Sequence, residues 1–196
     1  KRKIGILGGS FNPAHAGHIH ISNTARISLG VDEVWWLVAP QNRLKSSLEM
    51  ENFDKRLSYA RLFTNELPYI KVLDIEEKNK LYASYMTINF LNSKSQKVKF
   101  IWLMGSDILE NFNRWLYPTS IAKNMYVAVI SRPGFSSSFL NTPQTTKLGK
   151  RLKTSKSKSI FLRKKPVWVF IKNKLLSISS YEIRRVHNLN KTEFQI

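Results

Sequence analysis

The chain has no cysteine and few acidic residues, with 13 Asp or Glu against 32 Lys or Arg in 196 residues. The absence of cysteine excludes a disulfide framework, a thiolate zinc site and a cysteine nucleophile, and it favours a reducing compartment, so we expect a cytoplasmic protein. Long apolar runs are also missing. No run approaches the roughly 18 residues of a membrane span, and Ile4 to Leu7 is too short for the apolar part of a signal peptide. We therefore expect no membrane association.

The hydrophobic content is that of a folded protein. Hydrophobic residues make up 42% of the chain and aromatic residues 12%, which is enough apolar surface to offset the loss of chain entropy on folding. The length suits one α/β domain and is short for two independent ones. We therefore expect residues 1–196 to form a single domain.

Positive charge is concentrated in the second half of the chain. The net charge is +19, and the stretch between Asn111 and Tyr181 contains 14 Lys or Arg and no acidic residue. Such a field attracts nucleotides, nucleic acid or anionic lipid without specifying any chemistry. The segment from Gly134 to Pro166 is rich in Ser, Thr and Lys, and no helix or strand is predicted there. A solvated, mobile surface excursion is the expectation.

Short apolar runs alternate with longer segments of helical periodicity, which predicts a βαβα order. Nearly continuous apolar strands are typical of a parallel sheet that is covered on both faces. The fold class predicted is therefore α/β, a doubly wound (Rossmann-like), mostly parallel sheet with helices on both faces and ligands beyond the carboxyl ends of the strands. Strands are predicted at Ile4–Leu7, Val34–Ala39, Ile70–Asp74, Lys99–Met104, Tyr126–Ser131 and Val167–Ile171, and helices at Gly17–Leu29, Phe53–Leu67, Ser84–Ser93, Asp107–Trp115, Ser120–Asn124 and Tyr181–Asn188.

The first βα turn carries the most information about chemistry. Gly8 and Gly9 leave the first strand, and His15 and His18 open the following helix three residues apart. A glycine pair lets the backbone approach a bulky anion, and a helix N-terminus offers unpaired N–H groups and the positive end of a dipole. Phosphate is the natural ligand. A metal site and a surface pair without function are the alternatives, although no carboxylate lies nearby in the sequence to complete a metal site.

The same turn resembles a known family. Gly9-Ser10-Phe11-Asn12-Pro13 followed by His15-Ala16-Gly17-His18 is similar to the G-[ST]-F-[DN]-P-x-H-x-G-H signature of the nucleotidyltransferase superfamily. Within it the chain most resembles the bacterial nicotinate-nucleotide adenylyltransferases, because further segments follow in the expected order. These are Pro40-Gln41-Asn42 with Lys45, Met104-Gly105-Ser106-Asp107, Phe112 with Trp115, Ser131-Arg132-Pro133-Gly134, and Ile178-Ser179-Ser180-Tyr181-Glu182-Ile183-Arg184, where Tyr181 replaces a threonine.

The resemblance implies an enzyme that transfers the adenylyl group of ATP to nicotinate mononucleotide in NAD biosynthesis, with Mg²⁺ accompanying ATP. It implies no protein metal site, no specific nucleic-acid partner, and a homo-oligomer as an open alternative to a monomer. The catalytic residues implied are His15, His18 and Arg184. The ATP-binding residues implied are Gly8, Gly9, Ser10, Phe11, Gly17, Gly105, Asp107, Ser179, Ser180, Ile183 and Arg184, and the acceptor-binding residues are Asn42, Lys45, Ser84, Tyr85, Thr87, Trp115 and Arg132.

Several assignments stay open. The family has Ser-Tyr-Thr before its third helix, where this chain has Ser84-Tyr85-Met86-Thr87. Either Met86 stands in place of the threonine, or Thr87 takes the role of the threonine after an insertion of one residue. Ser106 and Asp107 could simply cap a helix, and Trp115 could pack in the core instead of stacking on a pyridine ring.

Other functions also remain as alternatives. Phosphopantetheine and nicotinamide mononucleotide are alternative acceptors. Trp115 and the segment from Ser131 to Gly134 favour the nicotinate branch over phosphopantetheine, whereas the choice between nicotinate and nicotinamide stays open. Lys153-Thr154-Ser155-Lys156-Ser157 resembles a class I aminoacyl-tRNA synthetase motif, but the chain is too short for that class. A nucleic-acid-binding module is the alternative from a different class; no motif supports it, and aromatic residues do not interleave the basic run as single-strand binding favours.

Overall fold

One parallel sheet organises the protein. The computed structural model describes residues 1–40, 50–95, 97–132 and 135–172. Its strands are β1 (Arg2–Gly9), β2 (Glu33–Val38), β3 (Ile70–Leu73), β4 (Val98–Gly105), β5 (Tyr126–Ile130), β6 (Lys150–Leu152) and β7 (Val167–Ile171). They lie in the order β3-β2-β1-β4-β5-β7-β6, and every neighbouring pair is parallel. From the interior strand β1 the chain winds outward through β2 and β3 to one edge and through β4 and β5 towards the other, where β7 lies between β5 and the edge strand β6.

Helices cover both faces of this sheet. His15 is the N-cap of the first helix, and Gly30 ends it with a left-handed φ of 65° that glycine adopts without strain. The α-helices are α1 (Ala16–Leu29), α2 (Phe53–Phe63), α3 (Ile75–Lys78), α4 (Ser84–Lys94), α5 (Pro118–Asn124) and α6 (Pro143–Thr146), and 3₁₀ helices occupy Ser106–Arg114, Ser137–Asn141 and Thr154–Leu162.

Alternate residues of each strand feed two separate hydrophobic cores. On β4, Ile101 and Leu103 face the core formed with α1 and α2, whereas Phe100, Trp102 and Met104 face the core formed with α4 and α5. Because both faces are buried, almost every position of the central strands is apolar. The predicted doubly wound α/β fold is confirmed, and all six predicted strands are present.

Two helix predictions differ from the structure. The helix predicted to reach Leu67 ends at Phe63, because the N–H groups of Thr64 and Asn65 bond the carbonyl groups three residues back and the chain continues as turns. The helix predicted at Asp107–Trp115 is the 3₁₀ helix at Ser106–Arg114. The helix predicted at Tyr181–Asn188 lies outside the described residues.

The expectation of an excursion without regular structure at 134–166 is wrong. This segment contains α6, the edge strand β6 and the 3₁₀ helix at Thr154–Leu162, which crosses over to β7. Leu148, Ile160 and Phe161 are buried, and the Ser157 hydroxyl donates to the Ser28 carbonyl of α1 at 2.5 Å. A few apolar side chains anchor the segment while its lysines remain in solvent, so its average composition resembled that of a solvated loop.

Candidate active site

The turn between β1 and α1 lies at the carboxyl end of the central strand. Its Phe11 has a positive φ of 46° and is buried, with its ring stacked on Trp36 at 4.9 Å between centroids. A Cβ at Gly8 would lie 3.2 Å from the Trp102 ring, and one at Gly9 would lie 3.4 Å from the Phe11 ring. The Trp102 ring therefore leaves little space for a side chain at Gly8, whereas a Cβ at Gly9 would make ordinary van der Waals contact with Phe11. The tight packing at Gly8 is a feature that the sequence pattern did not reveal.

His15 and His18 cap α1 with their own side chains. His15 Nδ1 accepts a hydrogen bond from the Gly17 N–H at 3.1 Å, and His18 Nδ1 accepts one from the His15 N–H at 3.2 Å. The two ring centroids are 3.9 Å apart. Because each Nδ1 acts as an acceptor, the proton of each neutral imidazole lies on Nε2. Each ring is therefore an N–H donor at the N-terminus of a helix.

The electrostatic setting of these imidazoles favours an anion. His15 is 4% exposed, and the first turn of α1 contains no acidic residue. The positive end of the helix dipole adds to the potential there, and electrostatic interactions are stronger where water is excluded. The structure thus brings Ser10, Phe11, His15, Gly17 and His18 together in one turn.

A second group of candidate residues lies where β4 and β5 end. The buried Ser106 hydroxyl accepts a hydrogen bond from the Arg132 N–H at 2.8 Å, and Asp107 forms an ion pair with Arg132 at 3.5 Å. A Cβ at Gly105 would meet the side chains of Asp107 and Arg132, the latter at 2.7 Å from Cδ, so both side chains would have to move to accept a larger residue. Ser106 is not a helix cap, because Gly105 occupies the N-cap position. Asp107 and Arg132, implied for different substrates, are in contact.

The predicted acceptor-binding residues of α4 point in different directions. Thr87 is fully buried and its hydroxyl donates to Glu76 Oε1 of α3 at 2.8 Å. Tyr85 is half-buried and meets Tyr117 edge-on at 4.8 Å, and Ser84 is the first residue of the helix. The Thr87 hydroxyl is therefore engaged inside the protein.

Glu76 is a buried carboxyl group that the sequence analysis missed. It is 7% exposed, and burial raises its pKa to about 7, against the lowering effect of the Thr87 hydrogen bond. Glu76 lies in a short stretch of charged residues that resembles a solvated turn, so no sequence signal distinguished it from the exposed Glu77.

Trp115 is half-buried at the end of the 3₁₀ helix at Ser106–Arg114. Its ring packs edge-on against Trp102 at 6.2 Å between centroids and lies 5.6 Å from the Phe112 ring. These contacts fit the packing interpretation for one side of the indole, while its exposed part can still meet a ligand. Stacking on an acceptor ring stays a prediction.

Arg56 of α2 is the second residue that the sequence analysis missed. Its guanidinium is buried and bonds backbone carbonyl oxygens only a few residues from the histidine turn, including that of Ser10 at 2.6 Å. Burial lowers its pKa, while the charge of Glu77 opposes this effect. An arginine on a helix of mixed composition normally indicates a solvated face, so the sequence offered no signal.

Six predicted site residues lie outside the described residues: Asn42, Lys45, Ser179, Ser180, Ile183 and Arg184. Within the ranges that the structure describes, no three His, Cys, Asp or Glu residues are grouped so that they could hold a metal ion. In the same part of the chain, no helix is both long and apolar enough to cross a membrane.

Comparison with known proteins identifies similar sequences over nearly the whole chain. A family model described as Cytidylyltransferase-like matches residues 6–186. The probable nicotinate-nucleotide adenylyltransferase of Agrobacterium fabrum (strain C58) is 35% identical over 185 residues, which cover 94% of this chain and 98% of that protein. The protein of the same name from Parvibaculum lavamentivorans (strain DS-1) is 42% identical over 146 residues, or 74% of this chain and 72% of that protein.

Comparison with solved structures identifies the same fold. The structure of Plasmodium falciparum nicotinic acid mononucleotide adenylyltransferase complexed with NaAD superposes with a TM-score of 0.70 at 19% identity. The match covers 94% of this chain and 83% of that one. At this identity the likeness shows a shared fold.

Proposed function

The chain belongs to the cytidylyltransferase-like family, and from this premise we propose that it transfers the adenylyl group of ATP to nicotinate mononucleotide. The products are nicotinate adenine dinucleotide and pyrophosphate, in NAD biosynthesis. The observation that carries the proposal is the pair of Nε2–H imidazoles at the N-terminus of α1, at the carboxyl end of the central parallel strand. Relatives named for this activity align with more than nine-tenths of the chain.

The reaction needs positioned donors more than a nucleophilic side chain. A phosphate oxygen of the mononucleotide attacks the α-phosphorus of ATP and forms a new P–O bond, while the bond from that phosphorus to the oxygen bridging to the β-phosphate breaks. Negative charge develops on the departing pyrophosphate and on the transferring group. His15 and His18 donate N–H hydrogen bonds there, and their fixed tautomers keep these donors in place before the reaction begins.

The remaining site residues are proposed on the family resemblance together with their location. Gly105 and Asp107 lie at the switch point of the sheet, where a carboxylate can accept ribose hydroxyls. Ser179, Ser180, Ile183 and Arg184 are proposed for the phosphates of ATP. Asn42, Lys45, Ser84, Tyr85, Trp115 and Arg132 are proposed for the acceptor. Thr87, which the resemblance also implied, is not included, because it is fully buried and its hydroxyl is bonded to Glu76.

Magnesium is proposed as part of the Mg-ATP substrate. The described residues of the histidine turn offer N–H donors, whereas Mg²⁺ takes oxygen ligands and is commonly held by one or two carboxylates together with substrate phosphates. Among the candidate site residues that the structure describes, Asp107 is the one whose side chain carries a carboxylate. When bound, the ion neutralises charge on the phosphates; the imidazoles of this chain orient them.

The domain organisation, cellular location and oligomeric state are also matters of proposal. We propose a single catalytic domain, because every described strand joins one sheet. We also propose a cytoplasmic location, because a reducing compartment suits a chain without cysteine. A homo-oligomer stays an open alternative.

A pyrophosphate-release assay with Mg-ATP tests the proposal. Nicotinate mononucleotide, nicotinamide mononucleotide and phosphopantetheine are each supplied as the acceptor, and kcat/KM is measured for each. We expect nicotinate mononucleotide to have the highest value. Turnover of phosphopantetheine alone would contradict the proposal, and equal values for the two pyridine mononucleotides would show that the acceptor site does not select the carboxylate.

A further inference from the structure

Arg56 makes an unusual set of contacts for a helical arginine. It is 3% exposed, and its guanidinium donates to four backbone carbonyl oxygens. These belong to Glu51 at 2.9 Å from Nε, Ser10 at 2.6 Å and Ala39 at 2.9 Å from Nη1, and Pro40 at 2.8 Å from Nη2. One side chain thus connects three separate parts of the chain.

The connected parts surround the histidine turn. Ser10 lies in the turn, and Ala39 and Pro40 follow the end of β2 beside it. The Glu51 N–H donates to Asn12 Oδ1 at 3.2 Å, so residue 51 contacts both the turn and Arg56. The Ala39 N–H donates to the Gly9 carbonyl at 2.9 Å and continues the β1–β2 pairing up to the guanidinium.

Only an arginine fits this arrangement. The guanidinium is planar and carries five N–H donors in a fixed fork, whereas a lysine ammonium is a single compact donor group. Burying a cation among carbonyl dipoles costs free energy, in agreement with the lowered pKa that burial gives Arg56. An apolar side chain could fill the same volume without that cost, but it could not hold the three backbone segments at hydrogen-bonding distance.

We propose that Arg56 is a positioning residue for adenylyl transfer, which holds the turn from Ser10 to His18 in the conformation that aims His15 and His18 at the ATP phosphates. This inference rests on the proposed function, because it assumes that the histidines meet those phosphates. Arg56 acts through the backbone of the turn and does not itself touch substrate. Its loss therefore disturbs alignment in the transition state more than it disturbs binding.

The test compares Arg56→Ala and Arg56→Lys with Arg61→Ala, a matched control. Arg61 lies on the same helix, but its side chain is 52% exposed and pairs with Asp74 at 3.7 Å. We measure kcat and both KM values with Mg-ATP and nicotinate mononucleotide, well below the melting temperature of each variant. A misplacement of about 1 Å can lower a rate roughly 10²-fold, so we expect a fall of that order in kcat for both Arg56 variants and none for the control.

Two further readouts separate positioning from general stability. Millimolar guanidinium ion should restore part of the kcat of Arg56→Ala, whereas methylammonium should not, because only the former reproduces the fork. Long-range ¹H–¹⁵N NMR spectra of the imidazoles should show a single Nε2–H tautomer for His15 and His18 in the wild type and a mixture of tautomers in the Arg56 variants. Arg61→Ala should keep the wild-type spectrum.

The outcomes distinguish the failure of this inference from the failure of the function. A wild-type protein without turnover on nicotinate mononucleotide contradicts the proposed function. Turnover by the wild type, with a kcat in the folded Arg56 variants equal to that of Arg61→Ala, overturns the positioning role. Where Arg56→Ala does not fold, Arg56→Lys retains the charge and the aliphatic stem, and the same comparison decides.

Discussion

His15 and His18 each use Nδ1 to cap the helix α1, and this hydrogen bond determines the tautomer of each ring. Their Nδ1 atoms accept backbone N–H groups at the start of α1. This bonding fixes which nitrogen of each imidazole carries the proton and holds the Nε2–H donors in place. At the residue scale, the capping function and the proposed catalytic function are therefore carried by the same side chains.

We expect His18→Ala to lower kcat by roughly 10²- to 10⁴-fold, the range for losing a positioned donor. His15→Ala should have a similar effect, with a larger change in the KM for ATP because it also removes the N-cap. Steady-state kinetics and circular dichroism at one temperature check both effects. Wild-type turnover in a folded double variant would show that neither imidazole serves the phosphates.

The raised pKa of Glu76 predicts that the free energy of unfolding depends on pH. Its pKa in the folded protein is about 7 against an ordinary value of 4.5, so between these values the unfolded chain releases a proton that the folded protein keeps. Stability is therefore lost as pH rises from about 4.5 through 7, by about 3 kcal/mol in all above that window. Glu76→Gln should remove this loss, because an amide oxygen still accepts from Thr87 and carries no charge.

Urea denaturation of the wild type, Glu76→Gln and Glu77→Gln at pH 5 and pH 8 checks this prediction. The exposed Glu77 is the matched control and should follow the wild type. The Glu76→Gln variant should be more stable than the wild type at pH 8 and similar to it at pH 5. An equal difference at both pH values would mean that the Glu76 carboxyl is not buried as described.

Substitution of Trp115 distinguishes an indole that stacks on the acceptor ring from one that only packs in the hydrophobic core. Removing an aromatic stack costs about 0.5–1.5 kcal/mol beyond the lost area, whereas emptying a core position costs about 3–5 kcal/mol of stability. Because the ring is half-buried, we expect Trp115→Ala to raise the KM for nicotinate mononucleotide more than the KM for ATP. A much lower melting temperature with an unchanged ratio of the two KM values would assign Trp115 to packing alone.

At the scale of elements, the 3₁₀ helix at Thr154–Leu162 combines a few buried side chains with several exposed ones. Ile160 is fully buried and belongs to the core that contains α1, whereas Leu162 is 81% exposed. Lys153, Lys156 and Lys158 are exposed as well. The element is therefore attached by few residues, and its charge contributes little to attachment.

We expect Ile160→Ala to lower the free energy of unfolding by about 2–5 kcal/mol, and Leu162→Ala, its matched control, to change it little. Replacing Lys153, Lys156 and Lys158 by serine should leave both stability and kcat at saturating substrate nearly unchanged. Thermal denaturation and steady-state kinetics check the three variants. A large fall in kcat after the lysine replacements would instead assign this element to substrate binding.

For the whole molecule, the net charge of +19 predicts electrostatic attraction of anionic substrates. Salt screens such attraction over about 10 Å at 0.1 M ionic strength, so kcat/KM for Mg-ATP should fall as salt is added while kcat changes less. Kinetics over a salt series checks this, with an inert salt such as potassium acetate. A kcat/KM that is independent of salt would show that the charge lies too far from the site to act.

Much of the fold was predictable because its signals are local. Each strand of a sheet covered on both faces must be apolar throughout, and this pattern located all six predicted strands. The histidine turn was predictable for the same reason, since glycines after a strand and His15 and His18 at a helix start are a contiguous pattern.

What the sequence by itself determined is therefore the α/β class, the central strands and the position of the histidine turn, whose ligand stays a prediction. Only the tertiary structure decided that Arg56, Glu76 and Ile160 are buried, because their partners lie far away in the chain. Ser10 is 46 residues from Arg56, and Thr87 is 11 residues from Glu76. A charged residue on a short or mixed helix has the same local sequence whether it faces solvent or a ring of backbone carbonyls, and only packing distinguishes the two.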